Sequence, residues 1–195
     1  MTTYIPLIVL SYLIGAIPFG LIIARLKGID LRKTGSGNIG ATNVLRSVGK
    51  KEAIVTLLCD ILKGMIIPLV VLSMDGQDRY VALTGLAAVL GHDFSIFLRL
   101  RGGKGVATSI GAVLVYEPVV GVITISLWLL STFLFKYSSL SALIAFALLP
   151  FNMIIFQTDN IGIIFSLCLT FLIFIKHRAN IKRLMEGKEP RIGKK

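Results

Sequence analysis

Residues 4–24 form a run of 21 without one charged side chain. As a helix rising about 1.5 Å per residue, such a run is long enough to cross a bilayer core about 30 Å thick. Composition points the same way. The chain is 55% hydrophobic and 16% charged, with a mean hydropathy of +0.84, whereas soluble domains are nearer a quarter charged. The run lacks the basic start and small-residue cleavage site of a signal peptide, so it reads as a retained span. The sequence describes an integral membrane protein.

Six further apolar blocks follow, at residues 53–74, 80–98, 106–116, 118–135, 139–156 and 161–175. Glu117-Pro118 separates two of them, because proline supplies no N–H to a continuing helix and disfavours helix at the residue before it. Of the 21 basic residues, nineteen fall in segments 25–52, 99–105, 136 and 176–195. The other connections carry Arg79 alone against Asp75, Asp78, Glu117 and Asp159. Basic residues stay on the cytoplasmic side of a bilayer, which puts the amino terminus outside and the carboxyl terminus inside. Seven crossings require the same parity. The expected fold is an all-α, seven-helix transmembrane bundle over residues 1–195, one domain, with one short half-span helix. The net charge of +11 then reflects membrane orientation, and no nucleic-acid partner is expected. Cys59 and Cys168 lie inside apolar blocks and read as buried hydrophobes, with no disulfide or metal expected.

Three polar segments on the basic side carry the chemistry. The first, GSGNIGATNVLR at 35–46, begins with a letter-for-letter match to a dinucleotide-binding turn, and Asp60 stands twenty positions after Gly40. That turn has physical content only between a strand and a helix. Here it joins two membrane helices, so the match is accidental. The glycines instead let backbone amides converge on an anion, with Ser36, Asn38, Thr42 and Asn43 as added donors. Arg46 offers a two-pronged fork to phosphate or carboxylate.

The second segment is RLRGGKG at 99–105, which lacks the Ser or Thr that follows lysine in a Walker loop. From Lys104 to the end of the following block is thirteen residues, or roughly 20 Å of helix, too short to span unless its amino end is sunk in the membrane. A sunken helix amino terminus approached by Gly102, Gly103, Lys104 and Gly105 offers free N–H groups, a dipole and an ammonium to an anion. The third segment, KHRANIKRLMEGKEPRI at 176–192, places His177 just after the last span. Within the spans, Asp60 and Lys63 stand three apart and read as a structural pair, while His92-Asp93 precedes the glycine loop and is placed to orient it. Ser138 and Ser139 are expected to cap the sixth span. No Ser-His-Asp spacing or metal signature occurs.

GSGNIGATNVLR, GHDFSIFLRLRGGKGVAT and HRANIKRLMEGKE together resemble the three signature segments of the bacterial PlsY-type acyl-phosphate:glycerol-3-phosphate acyltransferases, over essentially the whole chain. Ser95 and Leu100-Arg101 depart from the commoner proline and Phe-Lys. The resemblance implies catalytic roles for Ser36, Lys104, His177 and Asn180. It implies a role in activity for Arg46, a glycerol 3-phosphate loop at Gly102, Gly103 and Lys104, and a supporting role for Glu189; the loop chemistry adds Gly37, Asn38, Thr42, Asn43, Gly105 and Ser139 as expected substrate contacts and Asp60, Lys63 and His92 as expected supports. The implied reaction moves an acyl group from acyl phosphate to the 1-hydroxyl of glycerol 3-phosphate, giving lysophosphatidic acid, at the cytoplasmic face of a bacterial inner membrane. Membrane lipid is the surrounding partner, and no cofactor is implied. The rival class is an anion transporter, which also uses half-helices. Against it stand an odd span count and halves with no internal similarity.

Overall fold

The computed structural model describes residues 4–74, 77–156 and 158–193, so the expected loop acid Asp75 lies outside the described residues. Among the described residues all regular structure is helical. The first span is two helices rather than one, α1 (Tyr4–Gly15) and α2 (Phe19–Leu26). A short α3 (Ala41–Ser47) precedes α4 (Lys50–Ser73) and α5 (Asp78–Asp93), and a 3-10 turn at Ile96–Leu98 closes the third block. Then come α6 (Val106–Tyr116), α7 (Pro118–Phe135), α8 (Ser138–Ile155), α9 (Asn160–Lys176) and α10 (Arg178–Met185). Pro118 sits at the first turn of α7, after an extended Glu117, as the missing proline N–H dictates.

Five spans are long and apolar enough to cross a membrane, or six if α9 and α10, bent by 60°, form one. The eleven-residue α6 is only about 16 Å long and cannot cross alone. It is surrounded by protein instead, with Thr108, Ser109, Ile110, Gly111, Ala112, Val113 and Val115 all buried. Small residues let the backbones close up, as apolar solvent gives helices little other reason to associate. A Cβ on Gly64 would strike the Thr108 backbone, and one on Gly111 the Ile61 carbonyl, so α4 and α6 touch main chain to main chain. Gly15 and Gly91 join α1 to α5 in the same way. Phe146, Leu149, Met153, Leu169 and Ile173 fill the core between α8 and α9, while the outward faces carry exposed Phe133, Phe151 and Phe171.

The expectation of an unbroken first span is corrected at residues 16–18. Pro18 cannot donate, and the chain leaves the helix there. Irregular backbone at membrane depth is tolerated only where protein satisfies it. Ser95 Oγ donates to the Ala16 carbonyl at 2.6 Å, and Lys63 Nζ donates to the Ile17 carbonyl at 3.0 Å. Lys63 also pairs with Asp60 at 2.9 Å, both fully buried. The predicted i,i+3 pair is present and has a specific task, holding the break in the first span.

Candidate active site

The first segment is organised around Asn43, which is 2% exposed. Its Oδ1 accepts the Ser36 N–H at 2.9 Å. Its Nδ2 donates to the carbonyls of Leu31, Thr34 and Asn38 at 3.3, 3.1 and 2.8 Å. Asn43 was expected among the substrate donors; its amide is instead committed to the main chain, where it folds the loop that presents Ser36. Thr42 Oγ1 lies 3.0 Å from Ser138 Oγ, and Arg46 Nη2 donates to the Pro190 carbonyl at 3.0 Å. This segment is therefore tied to both α8 and the carboxyl-terminal residues.

The second segment is held by the end of α5. Gly102 N–H donates to the Asp93 carbonyl at 3.2 Å and Gly103 N–H to the His92 carbonyl at 2.9 Å. Gly103 has no room for a side chain, since a Cβ would collide with the buried His92 imidazole. Gly105, at φ +74°, supplies the left-handed turn that starts α6. Between them Lys104 reaches across to the third segment, where its Nζ donates to Asn180 Oδ1 at 2.6 Å.

The third segment starts at the bend between α9 and α10. His177 is 3% exposed, with Nδ1 2.8 Å from the Ile173 carbonyl. A carbonyl only accepts, so Nδ1 carries the hydrogen and Nε2 keeps a free lone pair. One turn on, Asn180 Nδ2 donates to Glu189 Oε1 at 2.6 Å. Ser139 Oγ donates to the same oxygen at 2.7 Å, and Arg183 Nε to Oε2 at 2.7 Å. The expectation that Ser138 and Ser139 cap α8 is corrected: neither caps it, and both hydroxyls turn to neighbouring segments.

Charge here is unevenly distributed. Burial pulls the Lys104 ammonium down to about 8; Glu189 opposes that shift, while Arg183, Arg46 and Lys176 add to it. Burial also pulls His177 down to about 4, and the positive Lys104 pulls the same way against the Ile173 carbonyl and Glu189. Burial would raise Glu189, but the bonds from Ser139, Asn180 and Arg183 hold it below the ordinary carboxylate range. The site thus holds clustered cations around one carboxylate, an arrangement that an incoming anion relieves.

A cavity of about 240 Å³ opens at this junction, lined by all three segments: Ser36, Gly37 and Asn38; Gly102, Gly103 and Lys104; Asn180 and Arg183. Lys176 and Ala179 complete the lining. A profile described as glycerol-3-phosphate acyltransferase matches residues 5–187. The chain belongs to that family. It is 42% identical to the glycerol-3-phosphate acyltransferase of Geotalea daltonii, over 97% of each chain. It is 48% identical to that of Sinorhizobium medicae, over 96% of this chain and 92% of the relative. Its fold is similar to the crystal structure of PlsY, an integral membrane glycerol 3-phosphate acyltransferase, in the glycerol 3-phosphate form. The TM-score there is 0.94 at 38% identity, covering 98% of this chain and 96% of that one. The lysophosphatidic acid form of PlsY matches with a TM-score of 0.92.

Of the expected site residues, Ser36, Gly37, Asn38, Gly102, Gly103, Lys104 and Asn180 line the cavity. His177, Thr42, Arg46, Gly105, Ser139 and Glu189 stand behind that lining, and Asp60 and Lys63 lie deeper. Sequence reasoning missed Lys176 and Arg183 as site residues. Lys176 Nζ donates to the Asp93 carbonyl at 2.7 Å and lies 4.7 Å from the centre of the Phe94 ring. A lysine ending an apolar run reads as a membrane-interface charge. Only its bond to Asp93, whose carbonyl also holds Gly102, shows that it stands beside the glycine loop.

Proposed function

We propose that this enzyme transfers an acyl group from acyl phosphate to the 1-hydroxyl of glycerol 3-phosphate, giving lysophosphatidic acid and inorganic phosphate. The observation that carries this reading is the cavity where Lys104, Lys176 and Arg183 converge beside the amino end of α6. Both substrates bear phosphate, and such a site binds phosphate through charge-assisted bonds, free N–H groups and the helix dipole together. Lys104 holds the glycerol phosphate above Gly102 and Gly103, whose own N–H groups stay bonded to the Asp93 and His92 carbonyls. Ser36, Gly37 and Asn38 face it across the cavity.

The chemical step is direct attack. The glycerol oxygen bonds to the acyl carbon, the bond from that carbon to the phosphate oxygen breaks, and phosphate leaves with its charge held by the cations. Such a donor is already activated, so catalysis rests on positioning and on stabilising charge. The hydroxyl proton goes to a substrate phosphate oxygen. Phosphate monoesters have a second pKa of about 6, whereas His177 is pulled down to about 4. His177 is neutral, stands behind the cavity lining, and is not the base. Glu189 keeps Asn180 turned toward Lys104.

The orientation proposed is amino terminus outside and site on the cytoplasmic face of a bacterial inner membrane, supported by the distribution of basic loops. We count α6 with its glycine loop as the half-span among seven membrane segments in one domain. The test is to incubate purified enzyme with labelled acyl phosphate alone. The expected outcome is no acyl adduct, with lysophosphatidic acid and phosphate formed in equal amounts once glycerol 3-phosphate is added. A stoichiometric adduct on Ser36 that chases into product would overturn direct transfer.

A further inference from the structure

The last described residues leave the active site and end on the outer flank of the bundle. Glu189 anchors this strap in the site. Beyond it, Arg191 Nε donates to Tyr137 Oη at 2.9 Å, and its guanidinium stands 5.3 Å from the centre of the Tyr137 ring. Ile192 N–H donates to the Lys136 carbonyl at 2.7 Å. Between the strap and the end of α7 lies a second cavity of about 400 Å³, lined by Thr132, Phe133, Lys136, Arg191, Ile192 and Gly193. None of these residues lines the cavity of the acyltransferase site.

The lining holds two cations and no acid. Among the described residues neither Lys136 nor Arg191 takes part in an ion pair. Thr132 Oγ1 is buried with no hydrogen-bond partner. Arg191 is already fixed by Tyr137, so its remaining N–H groups lose little freedom on meeting a phosphate. Beside these polar groups the wall is apolar. Phe133 is 79% exposed, and Leu134 and Phe135 beside it are exposed too. The cavity sits where α7 ends and α8 begins, on the side of the molecule that carries the active site.

We propose that this flank cavity binds the headgroup phosphate of an anionic phospholipid from the leaflet on the active-site side. Lys136, Arg191 and the Thr132 hydroxyl hold the phosphate, and the acyl chains lie along Phe133. A soluble anion would meet two exposed, salt-screened cations and gain nothing from Phe133. A lipid gains both contacts, because exposed Phe133 lies beside the two cations.

Trp128 is the chain's only tryptophan and lies one helical turn before Thr132 on the same face of α7. It reports the acyl chains of a bound lipid directly. In phosphatidylcholine vesicles containing a small fraction of chain-brominated phosphatidylglycerol, its fluorescence should be quenched more than by the same fraction of brominated phosphatidylcholine. That preference should fall about fivefold for each cation removed, in Lys136→Gln, in Arg191→Gln and most in the double variant. The charge-matched Lys50→Gln/Lys51→Gln variant should keep the preference. Inorganic phosphate should leave the quenching unchanged. Equal quenching by the two brominated lipids would overturn the proposal. So would an undiminished preference in either single variant, an equal loss in the Lys50/Lys51 variant, or displacement by inorganic phosphate. If the double variant lacks acyltransferase activity and so fails the folding check, the two single variants decide.

Discussion

Lys104→Met should weaken catalysis while making the folded protein more stable. The ammonium falls from 10.5 to about 8 on folding, chiefly through burial. At about 1.36 kcal/mol per pKa unit, the folded state is destabilised by about 3 kcal/mol at neutral pH for keeping that charge. Methionine removes this penalty and retains most of the packing. It also removes the 2.6 Å bond to Asn180, a charge-assisted contact worth about 1.5–3 kcal/mol. The expected net gain is at most about 1.5 kcal/mol. Its pH dependence has a fixed sign. Between about 8 and 10.5 the unfolded lysine still holds its proton while the folded one has lost it, so the wild type gains stability as pH rises. The gap between variant and wild type should close across that window. Meanwhile a lost charge-assisted contact of about 1.5–3 kcal/mol lowers kcat/KM for glycerol 3-phosphate roughly 10- to 150-fold. Equilibrium unfolding in mixed micelles across this pH range, alongside steady-state kinetics, checks both. A variant clearly less stable than wild type at neutral pH, or a stability gap that ignores pH, would refute the reasoning.

Gly103→Ala places a methyl against the buried His92 ring, with Cε1 and Cδ2 at 2.8 and 2.9 Å; the loop must shift, and KM for glycerol 3-phosphate should rise more than kcat falls. Overpacking of this kind destabilises by about 1–3 kcal/mol, measurable by thermal unfolding. Glu189→Gln replaces the shared acceptor of Ser139, Asn180 and Arg183 with a group that puts a donor against donors; kcat should fall, with stability lower by about 1.5–3 kcal/mol. Because the Glu189 pKa is depressed, its contribution is present above the ordinary carboxylate value and lost as pH falls through the folded value, so variant and wild type should converge in acid. In a background lacking Cys59 and Cys168, Asp78→Cys should react with a membrane-impermeant thiol reagent in intact cells and Lys33→Cys should not; the reverse pattern would overturn the proposed orientation.

Hydropathy made most of the helices legible, and the three glycine- or histidine-bearing segments converge as their chemistry implied. What stayed hidden follows from what one-dimensional patterns omit. Ala16 and Ile17 are as apolar as their neighbours, so hydropathy runs through the break between α1 and α2 without a signal. Pro18 alone hints at it. Asn43 looks like any other donor in a glycine-rich loop, and only the four main-chain partners of its side chain reveal a scaffold role. Lys176 and Arg183 belong to a basic tail that the orientation rule already explains, so nothing in their spacing singles them out. The 60° bend between α9 and α10 brings Arg183 into the cavity lining, and Lys176 stands at the end of α9 just before it.

The buried polar residues of the spans acquire a common purpose once that break is seen. Lys63 satisfies Ile17 and pairs with Asp60. His92 Nδ1 stands 3.7 Å from the same Asp60 oxygen, too far for a hydrogen bond, while the other side of the ring confines Gly103. Ser95 bonds the Ala16 carbonyl, and Tyr12 Oη bonds that of Phe94 at 2.7 Å. The broken first span, the ion pair and the approach to the glycine loop are therefore one packed unit. Ionisable groups inside a bilayer are expensive, and an isolated pair would add little that apolar packing could not match. Here the pair fixes irregular backbone on one side and borders the histidine that shapes the phosphate loop on the other. That double contact is a task apolar packing could not perform.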